Sequence, residues 1–301
     1  MSQAPSSVGQ VRDALQTNDY IPDEGLATAV FLAITLGRPL LLEGEAGVGK
    51  TEVAKVISRW LGAELIRLQC YEGIDASQAV YDWDYSRQLL HLRSSEASGE
   101  AQSIGTGALE GQLFDERFLL KRALLRAIEN DGRDKVLLID EIDRADDEFE
   151  AYLLEVLSDY QVTVPELGTF KAEKPPIVIL TSNRTRDVHD ALKRRCLYHW
   201  VEHPSFEREV AIVKLRVPTA ADKLVRQVAA AVEIMRGLHL YKSPGVAESI
   251  DWTTALARLG ATELSEELIR NTLGTVLKYR EDQQRVEDSG VDSILGQAIA
   301  R

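Results

Sequence analysis

The stretch Gly44-Glu45-Ala46-Gly47-Val48-Gly49-Lys50-Thr51 constrains this chain more than any other, because it fits G-x-x-x-x-G-K-[ST] at every fixed position. It follows the apolar run Pro39-Leu40-Leu41-Leu42-Glu43, which reads as a buried strand. Behind it Val53, Val56, Ile57, Trp60 and Leu61 recur at helical spacing, so Thr51 to Leu61 is expected to form an amphipathic helix. A glycine-rich turn between strand and helix lets backbone N–H groups and the helix N-terminus approach phosphate oxygens closely. Lys50 adds a mobile charge for the β- and γ-phosphates of a nucleoside triphosphate, and the Thr51 hydroxyl is suited to a bridging Mg²⁺.

A second stretch, Val136-Leu137-Leu138-Ile139-Asp140-Glu141, places two carboxylates at the end of a short buried run. An acidic pair after a strand is commonly a solvated loop, so it gains meaning only beside the phosphate loop. There, Asp140 is positioned to hold Mg²⁺, directly or through water, and Glu141 to polarise the water that attacks the γ-phosphate.

A chain of 301 residues with 45% hydrophobic content can bury one large or two medium cores. No apolar run approaches the length of a membrane span, and Met1 to Gln10 lacks the basic and apolar blocks of a signal peptide, which implies a cytoplasmic location. In that compartment the Asn183-Arg184-Thr185 glycosylation match carries no meaning. Cys70 and Cys196 have no paired spacing and are expected to be buried thiols. A net charge of −13 opposes general attraction to nucleic-acid phosphates. His199 and His203 are four apart, but in a strand and its exit that spacing separates them too far to share a metal.

Five apolar segments read as strands: Pro39 to Glu43, Glu64 to Cys70, Lys135 to Ile139, Pro176 to Ser182 and Leu197 to Val201. Helical patterns lie between them, one marked by Phe118, Leu124, Leu125 and Ile128, another by Phe149, Leu153, Val156 and Leu157. Strands alternating with helices imply an α/β fold, a parallel five-stranded sheet with helices on both faces. After His203-Pro204 only helical patterns remain, at Leu224 to Leu238, Thr253 to Leu259 and Leu264 to Tyr279. This divides the chain into a nucleotide-binding domain over 1–210 and a helical domain over 211–301, with the boundary near Pro204 to Pro218. Two interruptions stand out. Val80 to Tyr85 alternates and Gln88 to Leu92 can return against it, giving a hairpin insert near 78–93, followed by a polar loop from Ser94 to Gly107. Gln161 to Phe170 reads as a second hairpin.

The blocks Tyr81-Asp82-Trp83-Asp84-Tyr85, Asp140-Glu141-Ile142-Asp143-Arg144-Ala145 and Thr181-Ser182-Asn183-Arg184-Thr185-Arg186 resemble those of AAA+ P-loop ATPases, specifically the MoxR-like group of the helix-2-insert clade. The resemblance runs from about Leu26 to about Pro218 and is greatest to the CoxD-like branch, associated with maturation of molybdenum-containing carbon monoxide dehydrogenase. It implies ATP as the nucleotide with Mg²⁺, a small C-terminal helical lid, and a homo-oligomeric ring, hexameric in form. It also implies a client metalloenzyme and a von Willebrand factor A-type adaptor as partners. Asn183 takes the sensor 1 position, and Arg195, with Arg194 as the alternative, that of an arginine finger acting on the neighbouring subunit. One departure is visible. The stretch Glu248 to Thr254, where a second-sensor arginine would be sought, contains none, leaving Arg258 as the nearest substitute. The alternative reading is an ATPase linked to nucleic acid, of the clamp-loader or restriction-translocase kind, which needs a basic groove that the composition does not advertise.

Overall fold

The computed structural model describes residues 4–97 and 111–301. Its central element is a five-stranded parallel sheet in the order β2-β5-β8-β1-β9. The strands are β1 (Leu40–Glu43), β2 (Glu64–Gln69), β5 (Lys135–Asp140), β8 (Ile177–Ser182) and β9 (Leu197–Trp200). Each lies within a residue or two of the expected span. In β2 and β5 the pairing runs from Glu64 opposite Lys135 to Gln69 opposite Asp140, so the last residues of the two strands are neighbours.

Period-two geometry explains why every residue of β5 is buried. Leu137 and Ile139 face a core built from Ile66, Leu68, Val178 and Leu180 with Leu124, Leu125, Phe149, Leu153 and Val156. Val136 and Leu138 point the other way and are buried too, as a parallel sheet covered on both faces requires. Strand β2 ends the sheet, so its second face can carry the polar residues Arg67 and Gln69.

The chain separates into two compact units. The first comprises residues 1–11, 27–42 and 54–199; the second comprises 12–26, 43–53 and 200–301. The phosphate-loop segment thus groups with the C-terminal helices. Those helices are α9 (Phe206–Arg216), α10 (Asp222–Arg236), α11 (Val246–Arg258), α12 (Glu266–Val276), α13 (Arg280–Asp288) and α14 (Val291–Ala300). They bury Leu224, Val228, Val232 and Met235 of α10 against Trp252, Leu256, Ile269, Leu273 and Ile294. The Trp252 indole N–H donates to Thr272 Oγ1 at 2.7 Å, so the largest buried side chain carries no unsatisfied donor.

The hairpin expected over 80–92 is not formed. Only Tyr81–Trp83 is a strand (β3), and it pairs antiparallel with β4 (Leu119–Lys121) from beyond the insert. Tyr85–Ala97 is instead the helix α5. The physical reason is Asp84, which accepts the Arg87 N–H at 3.0 Å and starts a helical turn where the alternation suggested a continuing strand. Tyr85 consequently leaves the face it was expected to share with Tyr81 and Trp83. Of the loop expected from Ser94 to Gly107, Ser94 to Ala97 end α5 and the remainder lies outside the described residues. Phe118 also falls outside the helix it was expected to mark, α6 (Ala123–Ile128), and sits in a 3₁₀ turn before β4. The second hairpin is present as β6 (Gln161–Val164) and β7 (Gly168–Lys171).

Trp83 is 7% exposed and meets Tyr81 and Phe114 edge to face, with ring centroids 6.3 and 5.3 Å apart. It is core. Trp83→Ala is therefore expected to destabilise the chain by about 3–5 kcal/mol, read as a shift of the urea midpoint.

Candidate functional site

The phosphate loop lies in the second unit. After β1 the backbone turns through Gly44 (φ 156°), Gly47 (φ 79°) and Gly49 (φ 94°), and helix α3 (Lys50–Leu61) begins at the lysine itself. Gly44 and Gly47 are required by space as well as by φ, Gly49 by φ alone. A Cβ on Gly44 would meet the Val201 carbonyl oxygen at 2.4 Å, whereas one on Gly49 would make only an ordinary contact with the Tyr20 ring at 3.8 Å. Val201 is where it is because its N–H donates to the Glu43 carbonyl at 2.7 Å, which ties the exit of β9 to the start of the loop.

Lys50 is 6% exposed, and its Nζ donates to the Gly44 and Glu45 carbonyls at 2.8 and 2.6 Å, closing the loop on itself. Thr51 stands in the first turn of α3, half-buried. Glu45, the one acidic residue of the loop, has Oε2 3.1 Å from His203 Nε2. The loop's neighbour Tyr20 is buried, and its phenol is pushed up by burial, partly offset by the Arg208 guanidinium. Arg208 in turn donates to the Ile21 carbonyl at 3.0 Å and to Asp23 at 3.2 Å, fixing the N-terminal segment that lies against the loop.

The acidic strand end lies in the first unit. Asp140 ends β5 at 2% exposure, and its carboxylate accepts from Arg67 Nη2 and Thr181 Oγ1, each at 2.5 Å. Glu141 follows in the left-handed region, φ 56° and ψ 51°. A non-glycine residue pays strain there and is kept only by its surroundings. Those surroundings are explicit. The Glu141 N–H donates to Thr181 Oγ1 at 3.0 Å, and its Oε1 lies 3.4 Å from Asn183 Nδ2. Its Oε2 accepts from Gln69 Nε2 at 3.1 Å and pairs with Arg144 Nε at 3.0 Å.

Asn183 is itself placed by a carboxylate. Asp143, 2% exposed, accepts the N–H groups of Asn183 and Thr185 at 3.2 and 2.9 Å and the Thr185 hydroxyl at 2.7 Å. The turn after β5 thus holds the turn after β8. From there Arg186 donates to the Ala145 carbonyl and to the buried Glu150, which also accepts the His189 N–H at 2.7 Å. His189 caps the short helix α8 (Asp190–Arg195) that carries the basic cluster.

The structure brings Asp140, Glu141 and Asn183 together and places Arg195 apart from them. Arg195 is exposed at the end of α8, with Nη1 donating to Ser158 Oγ; Arg194 beside it is also exposed. Arg38 donates to the carbonyls of both, at 3.0 Å each, which stiffens the turn they sit on. Arg258 is exposed at the last residue of α11, about 18 Å along the helix from its start.

Sequence reasoning missed Arg67, Gln69, Arg144, Asp143 and Thr181, all of which position the two carboxylates or Asn183. One signal was available. Arg67 and Gln69 are polar at i and i+2 in a strand that is otherwise apolar after Glu64, which puts both on one face of β2.

Cys70 and Cys196 are buried and free, as expected. Burial first, then the carboxylates of Asp140 and Asp143, pushes the Cys70 thiol up to about 12; burial raises Cys196 to about 12 against the opposing Arg38 charge. Against an ordinary thiol, each loses about a thousandfold of its thiolate near neutrality. Both are expected to resist iodoacetamide in the folded chain and to react fully in denaturant, as mass spectrometry of the intact protein would show.

Residues 39–196 match the family model described as AAA domain (dynein-related subfamily), a span that contains both the phosphate loop and the acidic strand end. No curated protein matches the chain. Among solved structures it is similar to RuvB of Thermotoga maritima. One RuvB mutant is 16% identical with a TM-score of 0.49, and another 17% identical with a TM-score of 0.48, each over 93% of this chain and 75% of the other. The RuvB Holliday junction branch migration motor is 16% identical over 90% of this chain and 72% of its own, with a TM-score of 0.45. No helix among the described residues is long and apolar enough to cross a membrane. With more than half of the chain inside the matched span, from the strand before the phosphate loop to the residue after α8, the chain belongs to the AAA domain family, dynein-related subfamily, and is an ATPase.

Proposed function

We propose that the phosphate loop and the acidic strand end act on one ATP, and that the chain uses this hydrolysis, as a ring of identical subunits, to remodel a client metalloenzyme during insertion of its cofactor. Glu141 carries the hydrolytic part of the reading. Its strained backbone and its four side-chain and backbone partners hold one carboxylate in one place. In this reading Glu141 takes up the proton of the attacking water, and the Asn183 amide orients that water. The backbone of Gly44 to Gly49 and the Lys50 ammonium bind the phosphates.

Thr51 and the buried Asp140 are hard oxygen donors of the kind Mg²⁺ takes when it arrives with nucleotide phosphates. Bound there, Mg²⁺ would neutralise charge on the β- and γ-phosphate oxygens. Arg195, with Arg194 as the alternative, acts on the nucleotide of the neighbouring subunit, and the hold of Arg38 on the turn that carries both supports that role.

The client is read from the resemblance to the MoxR-like group and its CoxD-like branch, which points to a molybdenum hydroxylase of the carbon monoxide dehydrogenase type and to a von Willebrand factor A-type adaptor. The net charge of −13 supports a protein client over nucleic acid. Steady-state ATP turnover, measured with the cofactor-free metalloenzyme and separately with single-stranded and duplex DNA, tests the choice. Stimulation by the metalloenzyme alone is expected; stimulation by DNA alone would replace this reading with the nucleic-acid-linked one.

A further inference from the structure

Glu248 to Thr254, where a second-sensor arginine would be sought, lies within α11 and holds none, and the turn that opens this helix makes a different contact. A Cβ on Gly245, the residue before α11, would meet the Ala46 carbonyl oxygen at 2.7 Å and both Cα and C of Gly47 at 2.8 Å. From the other side, a Cβ on Gly47 would lie 3.2 Å from Gly245 Cα and 2.7 Å from Glu248 Oε2. The Ala247 N–H donates to the Gly47 carbonyl at 3.2 Å. Backbone therefore touches backbone, and the glycine at each position is what allows it.

The turn is held from behind by a buried ion pair. Arg236, at the end of α10, donates through Nε to the Pro244 carbonyl at 2.7 Å and through both Nη atoms to Glu209 of α9 at 2.6 and 2.8 Å. Ser249 of α11 donates to the same Glu209 at 2.5 Å, and the Gly245 N–H donates to Glu248 at 2.9 Å. The side chains of Glu209 and Arg236 are 1% and 11% exposed. A buried pair is costly to desolvate and is a poor general source of stability, whereas one that fixes a geometry or a switch has a reason to be kept. Here it gathers α9, α10 and α11 on one turn.

We infer that the turn from Pro244 to Ala247 reads the position of the phosphate loop for the helical lid, in the place of a second-sensor arginine. The inference rests on the reading of that loop as the ATP site. Phosphate oxygens compete for the Lys50 ammonium, which otherwise holds the Gly44 and Glu45 carbonyls, and the next two residues, Ala46 and Gly47, are those pressed against Gly245. A shift of the loop is passed to Gly245 by contact and through Arg236, Glu209 and Ser249 to three helices. Because the contact is between backbones, it responds to where the loop lies and not to the γ-phosphate charge. ADP, which also fills the loop, moves the turn nearly as far as ATP.

Hydrogen exchange of the full chain carrying Glu141→Gln, with no nucleotide, with ADP and with ATP, tests this in peptides covering residues 206–216 and 242–258. Both nucleotides are expected to change exchange of the Gly245 to Ser249 amides by about threefold or more. Adding Gly245→Ala, which forces the turn off the loop, is expected to reduce that response to less than about one third while nucleotide affinity falls by about tenfold at most. Should Gly245→Ala melt early, Ala247→Pro removes the donor to Gly47 and turns its ring carbon on the Gly47 carbonyl, breaking the same contact from a first-turn position, and the same loss is expected. An undiminished response in either folded variant at saturating nucleotide overturns the inference, as does a response to ATP with none to ADP. A parent chain that binds neither nucleotide overturns the ATP-site reading itself.

Discussion

Glu141→Gln lowers the rate of ATP hydrolysis by about a thousandfold while ATP affinity stays within a few-fold of the parent, as phosphate release and titration calorimetry would read. Glutamine keeps the shape and still accepts at Oε1, but it cannot take up a proton from water. Nothing in the phosphate loop is touched. Lys50→Ala gives the opposite pattern, because the loop then lacks the ammonium that meets the phosphates and tight binding is lost. Wild-type turnover in Glu141→Gln would remove Glu141 from the chemistry.

Arg195→Ala is expected to cost a thousandfold or so in turnover with little loss of stability, since the residue is exposed, its side chain bonds Ser158, and its carbonyl contact with Arg38 survives the substitution. Action across a subunit interface makes two further demands. Specific activity rises with protein concentration, and ATP favours larger assemblies. Mixing is the sharper measurement. Subunits with Arg195→Ala and subunits with Glu141→Gln are each inactive, yet mixed rings contain interfaces that pair an intact Glu141 with an intact Arg195, so activity partly returns. No recovery in rings shown to be mixed argues against Arg195, and the same experiment with Arg194 decides between the two.

The parts legible in the sequence are those whose causes are local. The phosphate loop is eight consecutive residues between a strand and a helix, and two of its three positive-φ glycines, Gly44 and Gly49, stand where the spacing puts them. The five sheet strands announce themselves as short apolar runs. What holds Glu141 was not legible, because its partners Gln69, in β2, and Asn183, in the turn after β8, are 72 and 42 residues away and meet it only through sheet order. Thr181, which serves both Asp140 and the Glu141 backbone, reads in sequence as one more β-branched strand residue.

The insert was misread for a related reason. Alternation from Tyr81 to Tyr85 is a true strand signal for three residues, but Asp84 can equally cap a helix, and the strand that pairs with Tyr81–Trp83 lies beyond the whole insert. A local pattern specifies that a segment is extended and not which segment it pairs with. The Gly245 contact is hidden likewise, since an unmarked glycine before a helix gives no sign that another backbone presses on it.

The claim that both motifs serve one nucleotide is tested most directly by the Mg²⁺ dependence of ATP affinity, measured by calorimetry in Glu141→Gln with and without Asp140→Asn. Mg²⁺ is predicted to tighten ATP binding in the first protein by about tenfold or more and to have little effect in the second, whose phosphate loop still binds ATP alone. An equal Mg²⁺ effect in the two proteins would place Asp140 outside the nucleotide site and contradict the account.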